Sequence, residues 1–242
     1  MKRPNIVVVL ADDLGYGDMS CYGAHKFQTP HMDNIAAQGI KLTDMHSTSA
    51  VCTPSRYGLL TGRYCWRTWL KSFVLGGFGM PLIEPERLTL PSLLKRAGYR
   101  TAALGKWHLG LEWTTKDGSL LKDTDRDGWN TDGFEVDYSK GFTGGPTALG
   151  FDSWFGISGS LDMPPYCYLE DDRVPVIPTK EKQHYYPQQR RGLQADGFID
   201  EEVDLVTAQR AEQFIDRHRH SEDERPFFLY VTPVAPHRPC IP

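Results

Sequence analysis

Asn5-Ile6-Val7-Val8-Val9-Leu10-Ala11-Asp12-Asp13 is a run of β-branched and aliphatic residues that stops abruptly on two adjacent carboxylates. An apolar run without alternation reads as a strand buried on both faces, the kind that builds parallel sheets. Working outward from it, Thr29-Pro30 opens a helix through Ala37 with Gly39 as its stop, and Lys41 to Met45 is expected as the next strand. Pro54 to Leu60 predicts a short helix ended by Gly62, and Pro91 to Ala97 another, stopped by Gly98. Tyr99 to Leu104 reads as a strand that runs out at Gly105-Lys106-Trp107-His108. From about Leu111 to Gly197 periodicity fails, and Gly, Pro, Asp and aromatic residues predict mainly loops with room for a short hairpin. Order returns with a helix from Glu201 to His218 and a buried strand from Pro226 to Val231. Strands alternating with helices predict an α/β fold, a mainly parallel sheet with helices on both faces. Residues 1–242 are read as part of a single domain, with a loop-rich insertion at about 111–200. Because the sequence stops after a strand and a Pro-rich loop, without the closing element such a sheet needs, truncation at the C-terminus is expected.

Composition narrows the function. The 242 residues carry 27 Lys and Arg against 31 Asp and Glu, a formal charge of −4 that leaves no basic footprint for nucleic acid. Aromatic residues at 12% and apolar residues at 40% exclude a disordered chain, while 23 Gly and 17 Pro point to a site built from loops. The apolar runs Ile6 to Ala11 and Phe227 to Val231 fall far short of the ~18 residues that span a bilayer, so no membrane span is expected. Lys2 and Arg3 ahead of the first run imitate the start of a secretion signal, but Asp12-Asp13 end the run before a cleavage site appears. A cytosolic protein and one whose leader has been removed both fit. The five cysteines are widely spaced, with no CxxC pair, which excludes a dense disulfide framework.

In open α/β sheets ligands gather beyond the carboxyl ends of the strands. The first strand delivers Asp12 and Asp13, oxygen donors suited to a hard divalent cation; the Tyr99 strand delivers Lys106 and His108; the last delivers His237. Cys52-Thr53-Pro54-Ser55-Arg56 puts a cysteine at a helix start, where free amides favour an anion. A C-x-P-x-R pattern arises by accident in a chain of this size on the order of once in a hundred, so it directs the reading.

These segments together resemble the N-terminal half of a type I sulfatase of the alkaline-phosphatase-like superfamily. The resemblance is carried by Pro4-Asn5-Ile6-Val7 through Asp12-Asp13-Leu14-Gly15-Tyr16-Gly17-Asp18, Thr29-Pro30-His31-Met32-Asp33, Cys52-Thr53-Pro54-Ser55-Arg56, Gly105-Lys106-Trp107-His108-Leu109-Gly110, Gly150-Phe151-Asp152 and Pro236-His237, in family order. It implies that Cys52 is oxidised to formylglycine by a formylglycine-generating or other sulfatase-maturing enzyme. One hydroxyl of the aldehyde hydrate would attack sulfur, and loss of a proton from the other would release sulfate. By the same resemblance a calcium ion would sit on Asp12, Asp13 and position 52. Arg56 would hold the formylglycine, and Lys106 and Ser160 would contact sulfate. His108 would be the base for release, and His237 would bind sulfate or protonate the leaving oxygen. The implied substrate is a sulfated small molecule or glycan, and family members are often periplasmic, secreted or lysosomal. The family completes its metal site and sulfate clamp with an Asp-Asn pair and a Lys beyond the His237 region, which this sequence does not reach.

Rival readings are a phosphoesterase of the same superfamily, against which the C-x-P-x-R pattern speaks, and an inactive sulfatase-like fragment or binding module. Asp123-Thr124-Asp125-Arg126-Asp127-Gly128 opens like a calcium loop, but Phe134 stands at its twelfth position, so an Asp/Gly turn is expected. Trp66, Trp69 and Trp113 line a pocket or belong to the core, and Gln188-Gln189-Arg190-Arg191 is a solvated loop or a contact for an anionic glycan.

Overall fold

A computed structural model of the protein describes residues 3–184 and 186–240. The expected end at Pro242 lies outside them. In chain order the elements are β1 (Ile6–Val9), α1 (Pro30–Gln38), α2 (Cys52–Thr61), α3 (Leu90–Arg96), β2 (Arg100–Lys106), β3 (Glu112–Trp113), β4 (Phe142–Thr143), β5 (Ser153–Ile157), β6 (Leu169–Glu170), β7 (Lys180–Glu181), β8 (Leu193–Gln194), α4 (Val203–Arg219) and β9 (Phe227–Thr232). The main sheet has the order β1-β9-β2-β5-β6, parallel except for β6. β3 with β4, and β7 with β8, form two small antiparallel ladders.

Alternation along the strands sorts the core into two layers. Ala103, Trp154, Phe228 and Tyr230 face Tyr57 and Leu60 of α2 and Leu90 and Leu94 of α3. Ala102, Leu104, Phe155, Phe227 and Leu229 face Val206, Ala211 and Phe214 of α4. Helices therefore cover both faces, as the strand–helix alternation predicts, and each fully buried large side chain contributes ~1.5–3 kcal/mol. β1 is less covered: Val7 and Val9 lie on the α4 side beyond that helix's reach and stay 48% and 63% exposed. Among the described residues β1 pairs along one side only, with β9.

Two local expectations are corrected. Lys41 to Met45 is not a strand: no neighbouring strand takes its amides, and Leu42 and Met45 stay exposed. The segment read as loops contains β5, a strand of the main sheet, which is short, interrupted by Gly156 and buried on both faces, so it lacks the alternation that announces a strand. Of the tryptophans, Trp113 belongs to the core, fully buried and edge-on to Phe78 and Tyr138. Trp66 is exposed against Tyr64, and Trp69 lies beneath the Arg126 guanidinium. Arg191 pairs with Asp132 and Glu181, and the Arg190 guanidinium donates to the Trp129 carbonyl. The calcium-loop imitation is a turn in which Asp125 accepts hydrogen bonds from the Asn130 amide and the Thr131 hydroxyl.

One glycine pair sets the strand ends. Gly105 opposes Gly156 on β5 and Thr232 on β9, and it takes φ +100°, a left-handed conformation inside a strand. The kink leaves the carbonyls of Leu104 and Lys106 both within reach of the Thr232 hydroxyl, at 3.1 and 2.7 Å. A Cβ on Gly156 would stand 1.8 Å from the Gly105 carbonyl oxygen. Gly156→Ala is therefore expected to separate β2 from β5 and cost about 3 kcal/mol or more in urea denaturation, as overpacking of a rigid backbone contact does; a midpoint equal to wild type would refute the contact.

Candidate active site

The carboxyl ends of β1, β2 and β9 and the N-terminus of α2 meet at one edge of the sheet. Here Lys106, the last residue of β2, is fully buried. Its ammonium donates to Asp12 Oδ2, to Ser160 Oγ and, at 3.3 Å, to Cys52 Sγ. Asp12 in turn faces Arg56, whose Nη2 is 3.3 Å from Oδ1, while Arg56 Nη1 donates to the Lys106 carbonyl at 2.7 Å. Burial pushes the Asp12 carboxyl up, but Lys106 and then Arg56 outweigh it and hold it at about 2. Cys52, first residue of α2, goes the other way: burial raises its thiol, and Lys106 offsets this only in part. As encoded, the side chain is a neutral thiol at pH 7 and a weak nucleophile.

His108 is fixed from three directions. Its φ is +57°, uncommon for a residue other than glycine. Its amide donates to Ser158 O at 2.8 Å, its carbonyl accepts from Thr53 Oγ1 at 3.0 Å, and Nε2 lies 2.7 Å from Leu75 O. A carbonyl only accepts, so that bond assigns the proton to Nε2 and leaves Nδ1 as the lone-pair nitrogen. Nδ1 is buried with no partner among the described residues, and burial, then Lys106, keeps the ring neutral.

Asp13 takes φ +65° after β1, turning its carboxylate outward, and His237 Nε2 lies 3.7 Å from its Oδ2. Asp12, Cys52 and His237 offer ligand atoms all within 4.8 Å of one another. The two carboxylates fit a hard cation such as calcium; a thiol sulfur at position 52 does not, and an oxygen in its place would. The cavity outside Asp12, Asp13, Cys52 and Arg56 has a volume of about 830 Å³ and is also lined by His46, Ser47, Ser49, Ala50 and Val51.

All eight residues singled out in the sequence, Asp12, Asp13, Cys52, Arg56, Lys106, His108, Ser160 and His237, thus lie at this one edge. Residues that sequence reasoning passed over join them. Thr53 bridges His108 and Leu75, with its own hydroxyl 3.2 Å from the Leu75 amide. The Tyr230 hydroxyl is buried beside Arg56 and Asp12. Asp162 stands beside His237 and Lys106. Thr53 was available as a member of the C-x-P-x-R segment; the other two carry no local signal.

The sequence pattern of the sulfatase family matches residues 4–241. An N-acetylgalactosamine-6-O-sulfatase of Bacteroides thetaiotaomicron is 31% identical over 100% of this chain and 50% of its own length. Arylsulfatase G of Rattus norvegicus is 33% identical over 98% of this chain and 42% of its own. A solved structure described under the metabolism of multiple glycosaminoglycans by Bacteroides thetaiotaomicron superposes with a TM-score of 0.79 at 30% identity, covering 100% of this chain and 53% of that one. The chain spans about half the length of these relatives.

The charge arrangement predicts a pH signature. A carboxyl held at about 2 stabilises the fold fully above its ordinary value of 3.8 and loses that contribution as pH falls towards 2. In chelator-treated protein, Asp12→Asn is expected to cost about 2–5 kcal/mol at pH 7, since it strands two buried cations, and the gap to wild type should narrow from pH 4 downward. Urea denaturation across pH 2–7 reads this, and a pH-independent gap would refute it.

Proposed function

The chain belongs to the sulfatase family, and on that premise we propose that it carries the nucleophile position and part of the sulfate clamp of a sulfate-ester hydrolase acting on a sulfated glycan. The observation that carries this reading is Lys106, buried and bridging Asp12, Cys52 and Ser160 at the start of α2. A buried ammonium among a carboxylate, a hydroxyl and the modifiable cysteine suits a tetrahedral anion that would exchange places with the neighbours it now holds. The glycan class is supported by the relative named N-acetylgalactosamine-6-O-sulfatase and by the structure tied to glycosaminoglycan metabolism.

Formylglycine at position 52, made by a maturing enzyme, would supply a hydrated aldehyde as nucleophile. Calcium held by Asp12 and Asp13 would offset charge on the sulfate. The other roles belong to the chain's own side chains. Arg56 fixes the Asp12 carboxylate and the Lys106 carbonyl, so the carboxylate and the Lys106 ammonium keep their aim. Lys106 and Ser160 bind sulfate oxygens. His108, neutral with Nδ1 free, takes a proton inside the site, and His237, at the rim beside Asp13, donates one to the departing alcohol oxygen. Among the described residues no helix is long and apolar enough to cross a membrane.

Mass mapping of natively produced protein is expected to find formylglycine at residue 52. Purified protein should then cleave aryl or sugar sulfates in preference to the matching phosphates, and Cys52→Ala should abolish turnover with the circular dichroism spectrum unchanged. Retained activity in that variant, or a preference for phosphate, overturns the proposal. His108→Ala should leave a burst of alcohol release and slow the steady state; equal loss of both would remove His108 from its assigned step.

A further inference from the structure

Among the described residues of the site, Asp162 is a carboxylate that nothing above employs. It lies two residues beyond Ser160, after the turn that leaves β5. Its Oδ1 is buried and has no hydrogen-bond partner among the described residues. Leaving such an oxygen unpaired costs ~1–3 kcal/mol, so it persists only where something compensates. His237, Lys106 and Arg238 are near enough to act on its charge, and none forms an ion pair with it among the described residues. Burial pushes its carboxyl up, and these neighbours offset that only in part, without filling its lone pairs.

The backbone around Asp162 is held firmly. Its carbonyl accepts from the Arg190 amide at 2.9 Å, and the preceding carbonyl, of Leu161, accepts from Gln189 Nε2 at 3.2 Å. Gln189 Nε2 also donates to Asp200 Oδ2 at 2.6 Å, and Asp200 is paired at 2.8 Å with Lys182. Gln189, Asp200 and Lys182 are all buried. This anchored network presents the carboxylate at a set position beside Ser160 and leaves it free to accept. That arrangement is what recognition of a hydroxyl or amide N–H requires.

We infer that Asp162 is a specificity-determining residue, accepting a hydrogen bond from a hydroxyl or amide N–H of the sugar ring whose sulfate sits on Lys106 and Ser160. The inference rests on the sulfatase reading and adds to it the part of the substrate that is not the sulfate. An aryl sulfate, which has no such donor, gains nothing from Asp162.

The experiment measures binding and so is separable from turnover. In the Cys52→Ala background, with calcium present, N-acetylgalactosamine 6-sulfate and phenyl sulfate are titrated by calorimetry with and without Asp162→Ala; Asp162→Asn serves as the isosteric second variant. The sugar sulfate is expected to weaken about ten-fold or more, the value of one hydrogen bond to a charged group, and phenyl sulfate less than about two-fold. Parallel weakening of both ligands, no weakening of either, or no sugar binding with Asp162 present overturns the inference. Absence of sulfate-ester turnover in protein that retains Cys52 and carries formylglycine would count against the hydrolase reading instead.

Discussion

The rest of the site depends on a carboxylate and two cations sealed together at one end of the sheet. Asp12 follows β1, Lys106 ends β2, and β9 runs between those strands, so the contact spans a neighbour instead of joining adjacent chains. Arg56, from α2, closes the third side. Burying three ions is tolerable only when each is compensated, and with any one removed the other two are left exposed to a low-dielectric surrounding. The cluster therefore fixes how β1, β2 and α2 stand relative to one another. Cys52 keeps its place because α2 is held through Arg56, one helical turn further on.

Backbone geometry does the complementary work. Gly105 and Gly156 let β2 and β5 approach more closely than any side chain permits, and the resulting kink turns the Lys106 carbonyl toward Thr232 and Arg56 while its ammonium points into the site. Asp13 and His108 both take positive φ within four residues of the end of their strands. Such conformations cost about 1–3 kcal/mol each and are held by their surroundings, here the bonds to Ser158, Thr53 and Leu75 in the case of His108.

The sheet was legible wherever a strand announced itself by a continuous apolar run bounded by Gly or Pro, as β1, β2 and β9 do, and the helices wherever a Pro start and a Gly stop bracketed them. β5 escaped because five residues with a glycine at the fourth offer neither period nor boundary, and Lys41 to Met45 misled because its composition suits a strand that finds no partner among the described residues. The same division holds at the site. Asp12, Lys106, Cys52 and His237 stand at element ends, and the ends can be read from sequence. Asp162 and Tyr230 have no such marker; they belong to the site only because packing across 50 or more residues brings Ser160 and β9 to Lys106 and Arg56.

The half-covered strand β1 bears on handling the polypeptide. A parallel strand that, among the described residues, is outermost, with Val7 and Val9 bare and one set of main-chain groups unpaired, is a template for cross-β association between molecules. Concentrated solutions of these residues by themselves should be colloidally fragile for that reason, irrespective of how well the catalytic edge is packed. A lysine in place of Val9 would act as a gatekeeper, trading exposed apolar surface for charge on a side of the sheet that α4 does not reach.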